Sequence, residues 1–146
     1  MLEMTGDIWD YHEPSGAPVA ITVNMQTNRR GRAIMGAGVA LEAAQRFPDL
    51  PGELGKRWSA HEYTSHVLTP YNLVAMPVKY RWDQPADTTL IRTSAHELVV
   101  FADLFGWRTI YSVRPGCGSG GLPWWAVKKV LVGIWDDRFT IVERKP

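Results

Sequence analysis

The sequence has 146 residues, enough for one domain with a hydrophobic core, and its 45% hydrophobic and 21% charged residues exclude a disordered chain. A net charge of +1 excludes binding to DNA or a membrane through bulk charge, although residues 29–32, RRGR, are locally basic. One cysteine excludes an internal disulfide, and no histidine pairing suggests a metal. No apolar run approaches the ~20 residues that span a bilayer. Together with the lack of a disulfide and of a metal motif, this leads us to expect a cytoplasmic domain without a metal or cofactor.

In chain order, the first predicted elements are a strand, a loop and two helices. PVAITVN at 18–24 is a nearly continuous apolar run rich in β-branched residues, which is typical of a buried strand. The polar stretch 25–35 predicts a loop. Residues 36–47 have apolar side chains at helical spacing, and Pro48 ends that helix. A second helix is predicted over 53–64.

The rest of the chain alternates strands with helices. HVLTP and NLVAMPV, within 66–78, predict two strands joined by a turn at Pro70-Tyr71. The remaining elements are a loop at 79–87, a helix at 88–105, a strand at 108–113, a Gly-rich loop at 114–123, a helix at 124–135 and a strand at 138–143. This alternation predicts a single α/β domain whose sheet is not wholly parallel.

The stretch at residues 32–47, RAIMGAGVALEAAQRF, places two glycines at the start of a helix. Glycine weakens a helix interior by ~1 kcal/mol relative to alanine, so these glycines need another explanation. One is a phosphate bound to the open N–H groups of the helix N-terminus, where the helix dipole is positive. The other is a tight turn packed under a neighbouring element, and this stretch alone does not decide between them.

A second glycine-rich loop, GCGSGGLPWW at residues 116–125, also follows a strand and enters a helix. Its backbone N–H groups could form a nest around phosphate oxygens. Two such loops at the carboxyl ends of strands could close on a diphosphate from both sides, which favours a nucleotide-type ligand. Neither loop has the Lys-Ser or Lys-Thr of a P-loop, and the first continues to Leu41 without the third glycine of a Rossmann fingerprint.

Four short motifs follow one another and cover the chain almost end to end. They are Gly6-Asp7-Ile8, Val23-Asn24 with Asn28 after it, Met35-Gly36-Ala37-Gly38-Val39-Ala40, and Gly116-Cys117-Gly118-Ser119-Gly120-Gly121-Leu122-Pro123-Trp124. Together they resemble the macrodomain family, whose members bind ADP-ribose. The resemblance implies a three-layer α/β/α macrodomain fold with a mixed central sheet over residues 1–146.

The resemblance also implies a ligand-binding role for each motif, and for most of them the residues also allow a purely structural role. Asp7 is expected to accept a hydrogen bond from the adenine amino group, although it could instead cap a turn or helix. Asn24 or Asn28 is expected to hold the distal ribose, although Asn24 could close an Asx turn. Cys117 is expected to pack rather than act as a nucleophile. The expected ligand-binding set is Asp7, Ile8, Asn24, Asn28, Gly36, Ala37, Gly38, Val39, Gly116, Cys117, Gly118, Ser119, Gly120, Gly121 and Leu122.

Within the family, the chain looks most like the antitoxin macrodomains that remove ADP-ribose from DNA. MPVKYRW at 76–82 is similar to that subgroup's lysine-bearing segment, which follows a strand. The branch that cleaves ADP-ribosyl glutamate esters on proteins has an acidic residue where this chain has Gly120, which favours the DNA-directed activity. The stretch from Asn24 to Asn28 is longer than in the subgroup, and the arginines that follow are not part of its pattern.

Lys79 is the candidate catalytic residue. A lone lysine after a strand is usually a solvated surface residue, but the resemblance implies an amine that attacks the anomeric carbon of ribose, or the aldehyde of its open form. The resemblance also places Trp9 and Trp82 in ligand-side segments, where they could stack on a base. A non-catalytic reader, an ester hydrolase and a nicotinamide-dependent oxidoreductase are the alternatives. The expected partners of this monomer are ADP-ribose or an ADP-ribosylated substrate, including single-stranded DNA, and a cognate ADP-ribosyltransferase toxin.

Overall fold

A mixed sheet organises the structure, a computed structural model that describes residues 1–60, 62 and 64–145. Within those residues the strands are β1 (Leu2–Thr5), β2 (Val19–Asn24), β3 (His66–Leu68), β4 (Leu73–Lys79), β5 (Ile110–Ser112) and β6 (Phe139–Glu143). Their spatial order is β1-β6-β5-β2-β4-β3. Neighbours are parallel except β3 and β4, which form an antiparallel hairpin through a 3₁₀ turn at Thr69–Tyr71. The predicted mixed α/β sheet is therefore confirmed.

Four helices of the described chain cover the two faces of this sheet. They are α1 (Gly38–Arg46), α2 (Leu50–Ser59), α3 (Thr88–Phe105) and α4 (Trp124–Leu131). Helices α1 and α2 pack with Val19, Ile21 and Val23 of β2 on one face. Helices α3 and α4 pack with Ala20 of β2 and Val74 of β4 on the other. Because both faces are covered, the central strands are apolar throughout, and the result is the predicted three-layer arrangement.

Strand β4 contains an irregularity that positions the site. The register runs regularly to the pair Val23–Pro77, and then Asn24 pairs with Lys79, so that Val78 is the extra residue. A bulge of this kind redirects the side chains that follow it. It brings Lys79 beside Asn24 where the two central parallel strands end.

The element boundaries differ from the sequence prediction in three places. Helix α2 begins at Leu50, because Pro51 is compatible with the first turn of a helix, and it ends at Ser59. The helix was predicted to continue to residue 64, and residues 61 and 63 of that predicted span lie outside the described chain. Helix α4 ends at Leu131 instead of 135, next to Gly133. Strand β1 was not predicted, since its largely exposed residues lack the alternating apolar pattern.

The helix predicted over 88–105 is confirmed, with Asp87 as its N-cap and Gly106 in the left-handed conformation after its last turn. Among the described residues, no helix has both the length and the apolar character to cross a lipid bilayer.

Candidate functional site

An open cleft of about 930 Å³ lies at the carboxyl ends of the central strands. Its lining includes Asn24 at the end of β2, Lys79 at the end of β4 and Val113 after β5. The volume is in the range of small-molecule sites, and this end of a parallel sheet is where α/β folds bind ligands. Residues of both glycine-rich loops line the cleft.

The first loop, Gly36–Val39, presents backbone to the cleft. Ala37 is the N-cap of α1 and has no side-chain oxygen with which to cap the helix. The first turn of α1 also contains no acidic residue. The N–H groups at this helix end are therefore open to an anion in the cleft.

Gly36 and Gly118 lie in different loops of the cleft, and the fold itself requires neither to be glycine. A Cβ atom built on either would have no other atom within 4 Å, and neither backbone is left-handed. Packing under a neighbouring element, the alternative that the sequence left open, therefore does not account for Gly36. The absence of side chains at both positions keeps the cleft open for close approach of a ligand.

Gly120, in the second loop, is glycine for a packing reason. A Cβ atom there would lie 2.6 Å from Gly116 O and 2.8 Å from the Ala86 Cβ atom. Ala86 N–H also donates to Gly120 O at 3.0 Å, which ties the loop to the segment between β4 and α3. Ser119 and Leu122 line the cleft, while Gly121 N–H donates to Gly118 O at 3.1 Å within the loop.

The residues near the N-terminus form another edge of the cleft. Ile8 is buried and lines it, as does Gly6. Asp7 caps the 3₁₀ turn Ile8–Tyr11, because its Oδ1 accepts from Trp9 N–H at 3.0 Å. The Trp9 ring is buried under the Arg46 guanidinium at 4.5 Å, so its faces are not available for stacking on a base.

The two asparagines are separated by the structure. Asn24 lines the cleft, where its Nδ2 donates to Ile34 O at 2.9 Å and its Oδ1 accepts from Gln26 N–H at 2.9 Å. Asn28 lies in an exposed turn, where its Oδ1 accepts from the N–H groups of Arg30 and Arg32. Asn24 thus combines the Asx-turn geometry with a place in the cleft.

Lys79 is buried, with 8% of its surface exposed, so the interpretation as a solvated surface lysine is wrong. Its side chain lines the cleft, and Nζ donates to Trp82 O at 3.1 Å. Trp82 also lines the cleft but is 57% exposed, which leaves much of its indole open to solvent. The geometry brings an amine and an exposed aromatic ring to the same end of the cleft.

Comparison with known proteins gives structural likenesses alone, since no family model and no curated protein matches the sequence. The macrodomain of Mycobacterium tuberculosis DarG has a TM-score of 0.77 at 22% identity, over 99% of this chain and 97% of that one. The Thermus aquaticus DarG macrodomain has a TM-score of 0.74 at 23% identity, with the same coverage of 99% and 97%. The chain has the macrodomain fold. A further likeness is Thermosipho africanus DarTG in complex with ADP-ribose, with a TM-score of 0.76 at 16% identity, over 99% of this chain and 42% of that one.

Charged residues in the macrodomain cleft were missed by the sequence analysis. Arg114 forms an ion pair with Glu143 and lies 4.9 Å from the centre of the Trp124 ring. Arg144 forms an ion pair with Glu42, at 2.9 Å. Arg114 and Arg144 come shortly after β5 and β6, and this position could have identified them, since strand ends border the ligand site. Among the described residues, no group of three His, Cys, Asp or Glu side chains is arranged to hold a metal ion.

Cys117 lies in the cleft wall and packs against the hydrophobic cluster beneath α3 and α4. Burial is the main cause that raises the pKa of its thiol from 9.0 to about 11, although the nearby Arg114 lowers it. At neutral pH the thiol is therefore protonated and poorly nucleophilic.

This pKa predicts slow alkylation of Cys117. At pH 7 the thiolate fraction is expected to be about 100-fold lower than for a cysteine with a pKa of 9.0, since the two pKa values differ by about two units. The rate of iodoacetamide labelling, followed by mass spectrometry, should still be rising about tenfold per pH unit between pH 8 and 9.5. A rate that begins to level off near pH 9, as expected for a thiol with a pKa of 9.0, would contradict the raised pKa.

Proposed function

We propose that this macrodomain binds ADP-ribose in the cleft and hydrolyses its bond to a nucleobase of modified DNA. The observation that carries the proposal is that two glycines from different loops, Gly36 and Gly118, face open space in one cleft that the buried Lys79 also lines. The likeness to a structure in complex with ADP-ribose supports the choice of ligand. A cognate ADP-ribosyltransferase that makes the modification is part of the same proposal.

In this arrangement the diphosphate lies between the two loops and accepts hydrogen bonds from their backbone N–H groups. Adenine lies against Ile8, and its amino group donates to Asp7. Among the described residues, the contacts of Asp7 with Trp9 and Arg144 both use Oδ1, so Oδ2 is open to another donor. The distal ribose then lies at the other end of the cleft, near Asn24 and Lys79.

Lys79 is the residue that acts on the ribose. The lone pair of its amine nitrogen forms a bond to the anomeric carbon while the bond from that carbon to the base nitrogen breaks, and the base leaves with a proton taken from that amine. Water then adds to the same carbon, and the lysine is released as free ADP-ribose forms. Burial of Lys79 in the cleft floor and its hydrogen bond to Trp82 O hold the amine in one place, which favours such an attack.

Hydrolysis of glutamate esters is less well supported. The acidic residue of that branch would stand at Gly120, where even a methyl group meets Gly116 O and Ala86. The cleft carboxylates Glu42 and Glu143 are held in ion pairs with arginines. A non-catalytic reader is the second candidate, because the bond from Lys79 to Trp82 O is also what a purely structural lysine would make.

Calorimetric titration tests the binding part of the proposal. We expect ADP-ribose to bind with a dissociation constant well below 1 mM and AMP to bind more weakly, because AMP lacks the second phosphate and the distal ribose. NAD is the control for the competing oxidoreductase function, and preference for NAD over ADP-ribose would favour that function. No heat with millimolar ADP-ribose would refute the proposal.

A further inference from the structure

Residues 26–34, which we call the arginine hairpin, project from the cleft wall. An antiparallel bridge joins Thr27 to Ala33, and Ile34 N–H donates to Gln26 O at 2.9 Å. The base of the hairpin belongs to the cleft, because Ile34 lines it. Gln26 Oε1 accepts from the N–H of Trp82 at 3.2 Å, so the hairpin is joined directly to the segment that follows Lys79.

The tip of the arginine hairpin is held in one conformation. Asn28 Oδ1 accepts from Arg30 N–H at 2.9 Å and from Arg32 N–H at 3.1 Å, and Gly31 has a φ of +74°. Helix α2 packs so closely on this turn that a methyl group at Gly55 would overlap Gly31 O. A tip ordered by these contacts loses little further entropy when it binds a partner.

Positive charge is concentrated at this tip. Arg29 and Arg30 are exposed, and within the described residues no carboxylate lies within 4 Å of either guanidinium. Arg30 is four residues from Ile34, which lines the cleft, so its backbone lies no more than about 14 Å of extended chain from the cleft wall. The charge is therefore local and close to the cleft, in a protein whose net charge is only +1.

Two exposed aromatic side chains lie on the segment to which the hairpin is bonded. Tyr80 is 52% exposed and Trp82 is 57% exposed, on either side of Arg81. Exposed apolar side chains that lie together beside a ligand cleft mark a candidate binding surface. A surface that combines cations with open aromatic faces fits a nucleic-acid strand, whose phosphates pair with arginine and whose unpaired bases stack on rings. An acidic peptide would use the arginines but leave the rings without a partner.

We propose that the arginine hairpin and residues 80–82 form a second binding surface, which holds the phosphodiester backbone and an unstacked base of a single strand that continues out of the cleft. The inference rests on the proposed function for the modified base itself. It adds that recognition extends beyond ADP-ribose, through residues that are separate from the glycine loops. An unmodified strand should therefore bind measurably without any ADP-ribose.

Fluorescence anisotropy with a labelled, unmodified single-stranded DNA oligonucleotide tests this surface. Replacing both Arg29 and Arg30 with alanine should weaken binding and reduce the slope of log affinity against log salt by about 1.4, the value for two phosphate contacts on a single strand. Between 50 and 200 mM salt, the double variant should lose about sevenfold less affinity than the unaltered protein. Trp82→Ala should weaken binding by about tenfold with little change in the salt slope, because stacking is not ionic.

A matched control changes the same net charge elsewhere. Arg108 and Lys129 are exposed, and Arg108 precedes β5 at the end of the sheet away from the cleft. Their double alanine variant should bind the strand as the unaltered protein does. The proposal is overturned if the two double variants lose equal affinity, if the Arg29 and Arg30 variant keeps the original salt slope, or if a polyglutamate peptide binds more tightly than the strand.

Titration of ADP-ribose into the same proteins distinguishes failure of the second surface from failure of the proposed function. The Arg29 and Arg30 variant should keep the ADP-ribose affinity of the unaltered protein and the same melting temperature. Strand binding without ADP-ribose binding would refute the proposed function and support the second surface. ADP-ribose binding with no strand binding at 50 mM salt would refute the second surface alone.

Discussion

Lys79→Ala is expected to abolish release of ADP-ribose from a modified oligonucleotide while ADP-ribose affinity stays within about tenfold, or ~1.4 kcal/mol. The rate should fall by at least several hundredfold, because the substitution removes the group that forms the covalent intermediate. Ligand affinity should survive, since the two glycine loops that would hold the diphosphate are unchanged. Chromatographic detection of free ADP-ribose gives the rate, and calorimetry gives the affinity.

Lys79→Arg separates chemistry from structure in this experiment. Arginine keeps a hydrogen-bond donor for Trp82 O, but its guanidinium does not act as a nucleophile. We expect it to be as inactive as the alanine variant. Lys56→Ala, at a lysine whose side chain is 76% exposed, is the control and should retain full activity. Turnover by Lys79→Ala at the unaltered rate would show that the lysine mechanism is wrong, and cleavage of ADP-ribosyl glutamate but of no nucleic acid would refute the DNA substrate.

Features of the fold that depend on short sequence segments could be predicted. The helix at 88–105 has helical apolar spacing between a capping Asp87 and Gly106, and both glycine loops stand out because several glycines cluster between a strand and a helix. The α/β layering then follows from the alternation of elements. Strand β1 escaped prediction because it pairs only with β6, at the edge of the sheet, and buries little side-chain surface.

The site was harder to predict because its geometry comes from pairings distant in sequence. Burial of Lys79 depends on the irregular register between β2 and β4, which no local pattern reveals. The choice between Asn24 and Asn28 was open for a more local reason, because either side chain could close a turn, and the bonds of Asn28 to Arg30 and Arg32 engage it in an exposed one. The sequence shows glycine at positions 36 and 118, but only the structure shows that the fold has room for a side chain at both.

The glycines of the second loop are expected to respond to substitution in two different ways. Gly120→Ala should lower the free energy of unfolding by ~2 kcal/mol, because its Cβ atom would lie 2.6 Å from Gly116 O and 2.8 Å from the Ala86 Cβ atom. Gly118→Ala should change that free energy by no more than ~0.5 kcal/mol, because its Cβ atom would enter open space. Urea denaturation followed by tryptophan fluorescence measures both values.

ADP-ribose affinity should be affected most by Gly118→Ala, the variant whose stability changes least. Gly118→Ala is expected to lower ADP-ribose affinity by about tenfold or more, or ~1.4 kcal/mol, since its methyl group fills the space that the ligand would occupy. This loss of affinity is expected without a loss of stability, a combination that substitution of a glycine needed for packing would not give.

Gly120→Asp adds the carboxylate of the ester-cleaving branch at a position with no room for it, so it should be less stable than Gly120→Ala and should not cleave ADP-ribosyl glutamate. If Gly118→Ala binds ADP-ribose as tightly as the unaltered protein, the ligand does not approach this loop, and the placement of the diphosphate between the two glycine loops is wrong.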